Sequence, residues 1–414
     1  MHIVVIGAGI IGMMTAYFLR EDGHAVSVVE AGPRPGLATS QANGAQLSYS
    51  FVAPLADPAV LPKLPSWLTD RDGPLRLRLR ADPELWRWGL GFLRACRHAT
   101  VRRSTAELLQ LGLLSRTLMH RLVARERLDF NFASSGKLLV YQDAAAYRSA
   151  LAQMRYQASL GCEQRALDAR ECLALEPALA DIAARVVGGI FTPTEDAGDC
   201  LKLCGELQRT LAGRPDPVRF HFNTEARRLR VRHGRVQALE TAAGAIEADG
   251  YVIANGVGAQ ALARQVGINP LIYPLKGYSL TYPLSERSRA PMTSLSDVHN
   301  KVVYARLGDR LRVAGMMDIG DRSTALDERR IASLKHQVAR YLPRLEAAGE
   351  PQAWAGLRPA RPDSKPVIGA TPYRNLWINA GHGALGFTLA AGSAGLLADR
   401  IAGRASTLAR SFTL

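Results

Sequence analysis

The sequence has few cysteines, and none placed for metal chemistry. Of 414 residues five are cysteine, at positions 96, 162, 172, 200 and 204. None form a CxxC pair, and no Cys/His cluster has zinc or iron–sulfur spacing, so this chain alone offers no such site. An odd, scattered set suits buried thiols in a reducing compartment. Long apolar runs are missing too. Nothing reaches the roughly eighteen residues of a membrane-spanning helix. The first residues turn apolar at once, without the basic leader of a signal peptide, so a cytoplasmic location is expected. Internal repeats and low-complexity tracts are absent, which argues against solenoids and linkers. Acids are outnumbered, 37 against 52 Lys and Arg, for a net charge of +15. That balance favours anionic partners. The basic residues are dispersed and match no nucleic-acid motif, so no nucleic-acid partner is expected.

What remains is an ordinary soluble composition, 47% hydrophobic and 21% charged, long enough for two domains. Residues 2–6 are a short apolar, β-branched run, read as a buried parallel strand. Gly7-Ala8-Gly9-Ile10-Ile11-Gly12 follows, then a helix over 13–21 and a second strand over 25–30 that ends in Glu30. A lone GxGxxG is weak, but this one sits between a strand and a helix with an acid about twenty residues on, the context of a dinucleotide fingerprint. Gly7 permits the tight turn. Gly9 lets a pyrophosphate reach the backbone, and Gly12 lets the helix lie on the sheet. The helix start at Ile10 and Ile11 offers free N–H groups and a positive dipole end. Glu30 suits ribose hydroxyls and disfavours a 2′-phosphate, hence NADP. The motif leaves FAD and NAD both open.

The next loop crowds small and polar residues, Ala38-Thr39-Ser40-Gln41-Ala42-Asn43-Gly44-Ala45-Gln46, a composition that wraps a polar cofactor without bulk. Further on, residues 74–128 and 144–173 read as helical, 130–142 as strand-like and 186–192 as a strand. A helix over 198–211 precedes short strands at 218–222, 226–232, 235–241 and 245–253. Strands at 271–283 and 301–317 follow, then helices at 323–342 and 387–402. Strands and helices mixed after one βαβ unit predict an α/β plus α+β fold: a Rossmann-like dinucleotide domain interwoven with a mixed or antiparallel-sheet substrate domain. The expected division gives 1–55, 195–270 and 350–414 to the cofactor, and 56–194 and 271–349 to the substrate.

Near the carboxyl end, Trp354-Ala355-Gly356-Leu357-Arg358-Pro359 precedes Pro362-Asp363-Ser364-Lys365-Pro366-Val367-Ile368-Gly369, and later Gly381-His382-Gly383-Ala384-Leu385-Gly386-Phe387-Thr388. With Gly7–Gly12, Glu30 and Thr39–Gly44, these segments resemble the D-amino acid dehydrogenases. That family belongs to the wider FAD-dependent group of glycine oxidase and sarcosine oxidase, the D-amino acid oxidase superfamily. Tyr273–Ser279 and Arg312–Asp318 resemble further family segments, so the likeness runs to about residue 400. It implies FAD as the dinucleotide. The cofactor set is then Gly7, Gly9, Ile10, Ile11, Gly12, Glu30, Ser40, Gln41, Asn43, Gly44, Gln46, Ala226, Lys276, Gly381, Gly383, Gly386, Phe387 and Thr388. The C-terminal glycines would let backbone lie against a flat ring. The helix opening at Phe387–Thr388 would aim its dipole at that ring. No cysteine stands near Gly315 or His382, where sarcosine oxidases attach their flavin, so the FAD is expected to be non-covalent.

The resemblance also implies oxidation of the C–N bond of a small D-amino acid to a 2-oxo acid, with electrons passed to a quinone or another respiratory acceptor. Arg358 is the expected carboxylate clamp, because its fork binds both oxygens. Tyr278, Tyr304 and His382 complete the expected catalytic set. Alternatives are D-proline or D-hydroxyproline as substrate, a glycine- or sarcosine-type oxidase using oxygen, a catalytic subunit with electron-transfer partners, and a flavin-binding subunit without catalysis. Arg76, Arg78, Arg80, Arg87, Arg94 and Arg97 alternate with Leu75, Leu77, Leu79, Trp86, Trp88 and Phe92. This stretch fits either a peripheral contact with the inner face of the cytoplasmic membrane or a helix with a wet, basic face.

Overall fold

The computed structural model describes residues 1–70, 72–408 and 410–414. Two sheets organise the chain. The first has six strands in the order Val367–Ala370, Leu376–Ala380, Gly250–Ile253, His2–Ile6, Ala25–Val29, Arg219–His221. Its neighbours run parallel except for the outermost pair 367–370 and 376–380. His2–Ile6 lies near the centre, with Ile3, Val4 and Val5 wholly buried. Both its faces are covered, so the run is apolar throughout rather than alternating. On one face pack the helix Ile10–Glu21, the long helix His98–Glu126 and the last helix Gly386–Ile401, sharing Met13, Leu108, Leu111, Leu389 and Leu397. The two longer helices touch closely at Gly392, where a Cβ would stand 2.7 Å from the Leu111 carbonyl. On the other face Val4, Ile6, Leu239, Ile253 and Leu262 form a second cluster.

The second sheet is mixed and mainly antiparallel. Its order is Gln352–Ala360, Tyr273–Pro283, Arg310–Ile319, Val302–Leu307, Ser294–Asp297, Lys137–Tyr141, Gly188–Thr192, Arg165–Asp168, with Leu75–Leu77 added beside 310–319. The helix Glu328–Tyr341 covers it through Leu334, Val338 and Tyr341.

Several expected boundaries move. The strand Gln352–Ala360, assigned above to the cofactor part, pairs with Tyr273–Pro283 and sets Arg358 opposite Leu275. The long helix 98–126 falls in the stretch assigned to the substrate part, yet its Leu108, Leu111 and Met119 belong to the core under the first sheet. The expected strand 301–317 is two strands, folded back at Gly308 with φ +65°. The helical reading of 144–173 is interrupted by the strand Arg165–Asp168, after which Asp168 and Glu171 form a reciprocal cap that starts a new helix. The reading of 74–128 likewise begins with a strand, Leu75–Leu77.

Candidate active site

Residues from both sheets line one cavity of about 1050 Å³. Its first end is the glycine turn. Gly7 has φ +104°, and a Cβ there would stand 2.7 Å from Asn255 Cα. A Cβ at Gly12 would stand 1.8 Å from the Gly7 carbonyl oxygen, so Gly12 serves the packing of helix on turn and does not itself line the cavity. At Gly9 the nearest atom to a Cβ is Ser40 Oγ at 3.5 Å, which leaves open room above the backbone. Gly9 has no side chain to cap the helix Ile10–Glu21, and Ser40 supplies the cap by accepting from Ile10 N at 3.0 Å. Glu30 accepts from Ala8 N and Gly32 N, both at 2.8 Å, which fixes its carboxylate at the end of the second strand. Ala226 lines this end too, beside Thr224 and Asn255.

The loop 38–46 crosses the middle, strapped to the second sheet. Thr39 Oγ1 donates to the Leu357 carbonyl at 2.6 Å, Ser279 Oγ to that of Ala42 at 2.7 Å, and Arg312 to that of Asn43 at 2.9 Å. Gln46 Nε2 donates to the carbonyls of Leu295 and Tyr304. Ser40, Asn43, Gly44 and Gln46 all face the cavity; Gln41 does not.

The third region holds Gly381, His382, Gly383, Gly386, Phe387 and Thr388 together with Arg358 and Gly277. Gly381 and Gly383 take φ +89° and +56°. His382 is 2% exposed, and neither ring nitrogen has a protein partner. Burial pushes its imidazole down to about 3, so the ring is neutral at physiological pH. Arg358 donates to the Met316 carbonyl at 3.2 Å and pairs with no carboxylate among the described residues. Its guanidinium lies over Gly277, where a Cβ would come within 2.4 Å. Burial pushes it down to about 10, still fully cationic at neutral pH.

Three expected residues sit differently. Tyr304 is wholly buried and stacks on Tyr341 at 5.1 Å, away from the cavity. Lys276 does not line the cavity; its Nζ donates to Asp321 and to the Ala325 carbonyl in the loop after the strand Arg310–Ile319. Tyr278 borders the cavity, but its ring belongs to the core of the second sheet with Leu280, Leu334 and Val338, near Lys276 and Arg330, and its hydroxyl donates to Asp318 at 2.8 Å. Asp318 is itself wholly buried between Arg330 and Arg76. That hydroxyl is therefore spent on the wall and not on a ligand. Sequence reading also passed over Lys137, Met316 and Trp354, which line the cavity. Lys137 did carry a signal: it is a charge inside Lys137–Tyr141, a strand buried at every position.

A family model described as FAD dependent oxidoreductase matches residues 2–400. The chain belongs to that family. It is 50% identical over 418 residues to D-amino acid dehydrogenase 2 of Ralstonia nicotianae, covering 99% of this chain and 98% of that one. It is 44% identical to D-amino acid dehydrogenase 2 of Pseudomonas aeruginosa, covering 97% and 95%. Among solved structures, glycine oxidase from Geobacillus kaustophilus superposes with a TM-score of 0.78 at 20% identity, over 100% of this chain and 97% of that one. L-proline dehydrogenase from P. horikoshii gives 0.77 at 16%, over 98% and 94%. These two likenesses show the fold. The family decides between the two dinucleotides that the glycine motif left open, in favour of FAD, and the cavity fits it. The glycine turn and Glu30 form a dinucleotide cradle at one end. At the other, Gly381, Gly383 and Gly386 line the space with backbone alone, which leaves room for a flat ring.

Proposed function

We propose that this FAD-dependent oxidoreductase oxidises the α-carbon of a small D-amino acid to the imino acid, which water converts to the 2-oxo acid. The observation that carries the reading is Arg358: a guanidinium at the cavity, with no carboxylate among the described residues to neutralise it. A buried, unpaired cation is costly unless an anion arrives with the ligand. A carboxylate bound in its fork is fixed in both position and plane. FAD, when bound, supplies the hydride acceptor. The protein then needs to hold the α-carbon still and keep water out. Leu275, Met317 and Trp354, which line the cavity, give that space apolar walls. Neutral His382 adds no positive charge that would repel the substrate amine. The D-configuration rests on the names of the relatives. No cysteine lines the cavity, which supports a non-covalent FAD.

Anaerobic titration of the flavin absorbance with D-alanine, D-proline and their L-forms tests this. Selective bleaching by D-forms is expected. A flavin that dithionite reduces and no D-amino acid bleaches would overturn the reading, and bleaching by D-proline alone would redirect it to cyclic imino acids.

We propose further that the electron acceptor is met at a membrane surface. In the helix Pro83–Ala95, Leu85, Trp88 and Phe92 are buried, and Trp88 and Phe92 wall the cavity. Trp86, Leu90 and Leu93 on its outer side are about half exposed, and Leu61, Leu68 and Leu79 nearby in sequence are exposed as well. Arg80, Arg87, Arg94 and Arg97 stand among them without ion-pair partners among the described residues. Arg76 leaves the basic set, because it is buried against Asp318 and Asp327. No described helix is long and apolar enough to cross a membrane, so the contact would be peripheral. Co-sedimentation with anionic vesicles is expected, and its loss in a Trp86→Ser, Leu90→Ser, Leu93→Ser variant. Equal sedimentation of the two proteins would remove this surface from consideration.

A further inference from the structure

Lys137 is a buried ammonium that nothing above has used. It is 4% exposed and lines the cavity together with Ser48 and Phe51. Its Nζ donates to Ser48 Oγ at 2.8 Å and lies 4.5 Å from the centroid of the Phe51 ring. No carboxylate forms an ion pair with it among the described residues. Glu195 is near enough to feel its charge but is turned elsewhere: one carboxylate oxygen accepts from Ser50 N at 2.7 Å and the other has no partner. Ser48 in turn links to the last helix, its N–H donating to Thr388 Oγ1 at 3.0 Å. Thr388 lines the cavity in the first turn of that 16-residue helix. Among the described residues nothing accepts the Ser48 hydroxyl's own hydrogen, which leaves it available to a bound group.

We propose that Lys137, acting through the Ser48 hydroxyl, is a positioning residue that raises the reduction potential of the FAD bound in this cavity. The reason is charge balance. Hydride from the substrate brings two electrons and one proton to a neutral ring, which then carries one negative charge. The amino end of a helix favours negative charge nearby. A full ammonium two hydrogen bonds from that end adds to the same field, and in a site with little water the field is weakly screened. An ammonium locked in a salt bridge would lend far less. Burial pushes Lys137 down and Glu195 up, and the charge of Glu195 opposes the first shift and so favours the ammonium form.

The test compares wild type, Lys137→Met, Lys137→Arg and Glu195→Gln as FAD-loaded proteins, without any amine. The readouts are the dye-equilibrated midpoint potential and the affinity for sulfite, which adds to oxidised flavin and leaves negative charge on the ring. Lys137→Met should weaken sulfite binding at least tenfold and lower the potential by the equivalent about 30 mV of a two-electron couple. Lys137→Arg should stay within threefold of wild type. Glu195→Gln removes the carboxylate that favours the ammonium form and should move the pH dependence of sulfite binding to lower pH than in wild type. A Lys137→Met sulfite affinity within twofold of wild type, or a Glu195→Gln pH dependence that matches wild type, would overturn the proposal. If Lys137→Met loses its FAD, an unchanged Glu195→Gln would overturn it as well. The assay contains no amino acid, so its failure is separate from failure of the D-amino acid reading.

Discussion

Arg358→Met should leave FAD bound and cut kcat/KM for D-amino acids about a thousandfold. Removing one partner of a buried, hydrogen-bonded charge pair costs about 2–5 kcal/mol, and about 4 kcal/mol is three powers of ten. Little of this should come from misfolding, since the guanidinium makes a single bond to the protein, to the Met316 carbonyl. Lysine at 358 should restore only part of the loss, because it offers a point charge where the carboxylate meets a planar fork. Gly277→Ala gives the same loss in milder form: its methyl would stand 2.4 Å from the guanidinium and push it off line. Steady-state kinetics with an artificial electron acceptor, alongside the flavin-to-protein absorbance ratio, measures both parts. A kcat/KM within threefold of wild type would remove Arg358 from the substrate.

The second large effect is on the cofactor. Gly12→Ala places a methyl 1.8 Å from the Gly7 carbonyl oxygen, inside any allowed contact, so the helix must lift from the turn. Strain of about 2–3 kcal/mol corresponds to roughly a hundredfold loss of FAD affinity, with a lowered melting temperature. Gly9→Ala is the contrast. Its methyl meets nothing of the protein closer than Ser40 Oγ at 3.5 Å. It should fold normally yet bind FAD weakly, because it fills ligand space. Quenching of FAD fluorescence and thermal melts of both variants separate the two mechanisms. Equal melting temperatures would contradict them.

The same contrast explains what could be read from the amino-acid order. The glycine turn, Glu30 and the Gly381–Thr388 segment were legible because each is local: a few adjacent residues carry the whole geometry. Residues placed by strand pairing were not. Tyr278 and Tyr304 look alike in sequence, and the pairing of distant strands turns both rings into the core of the second sheet. Lys276 and Lys137 are both lysines in buried strands, but the first bonds to Asp321 and to the Ala325 carbonyl, 45 and 49 residues away, and the second lines the cavity. The pairing of the residues after 350 was illegible for a related reason. The strand Gln352–Ala360 takes its partner from residues 273–281, and nothing in its own sequence names that partner. Helix 98–126 is assigned by what its apolar stripe meets, which lies near the far end of the chain.

The strand at residues 2–6 is made long before one of its two neighbours. One neighbour, residues 25–29, follows at once, but the other is Gly250–Ile253. The helix Ile10–Glu21 is tied at Thr15 to Asn379 and packs on the last helix. At roughly 5–20 residues per second of synthesis, about 370 residues separate the glycine turn from its final supports. That is roughly 20 to 70 seconds during which a ribosome-bound chain carries an apolar strand and half a nucleotide cradle. The cradle's supports are therefore complete only once residues near 380 are made, and until then the apolar strand lacks most of its cover.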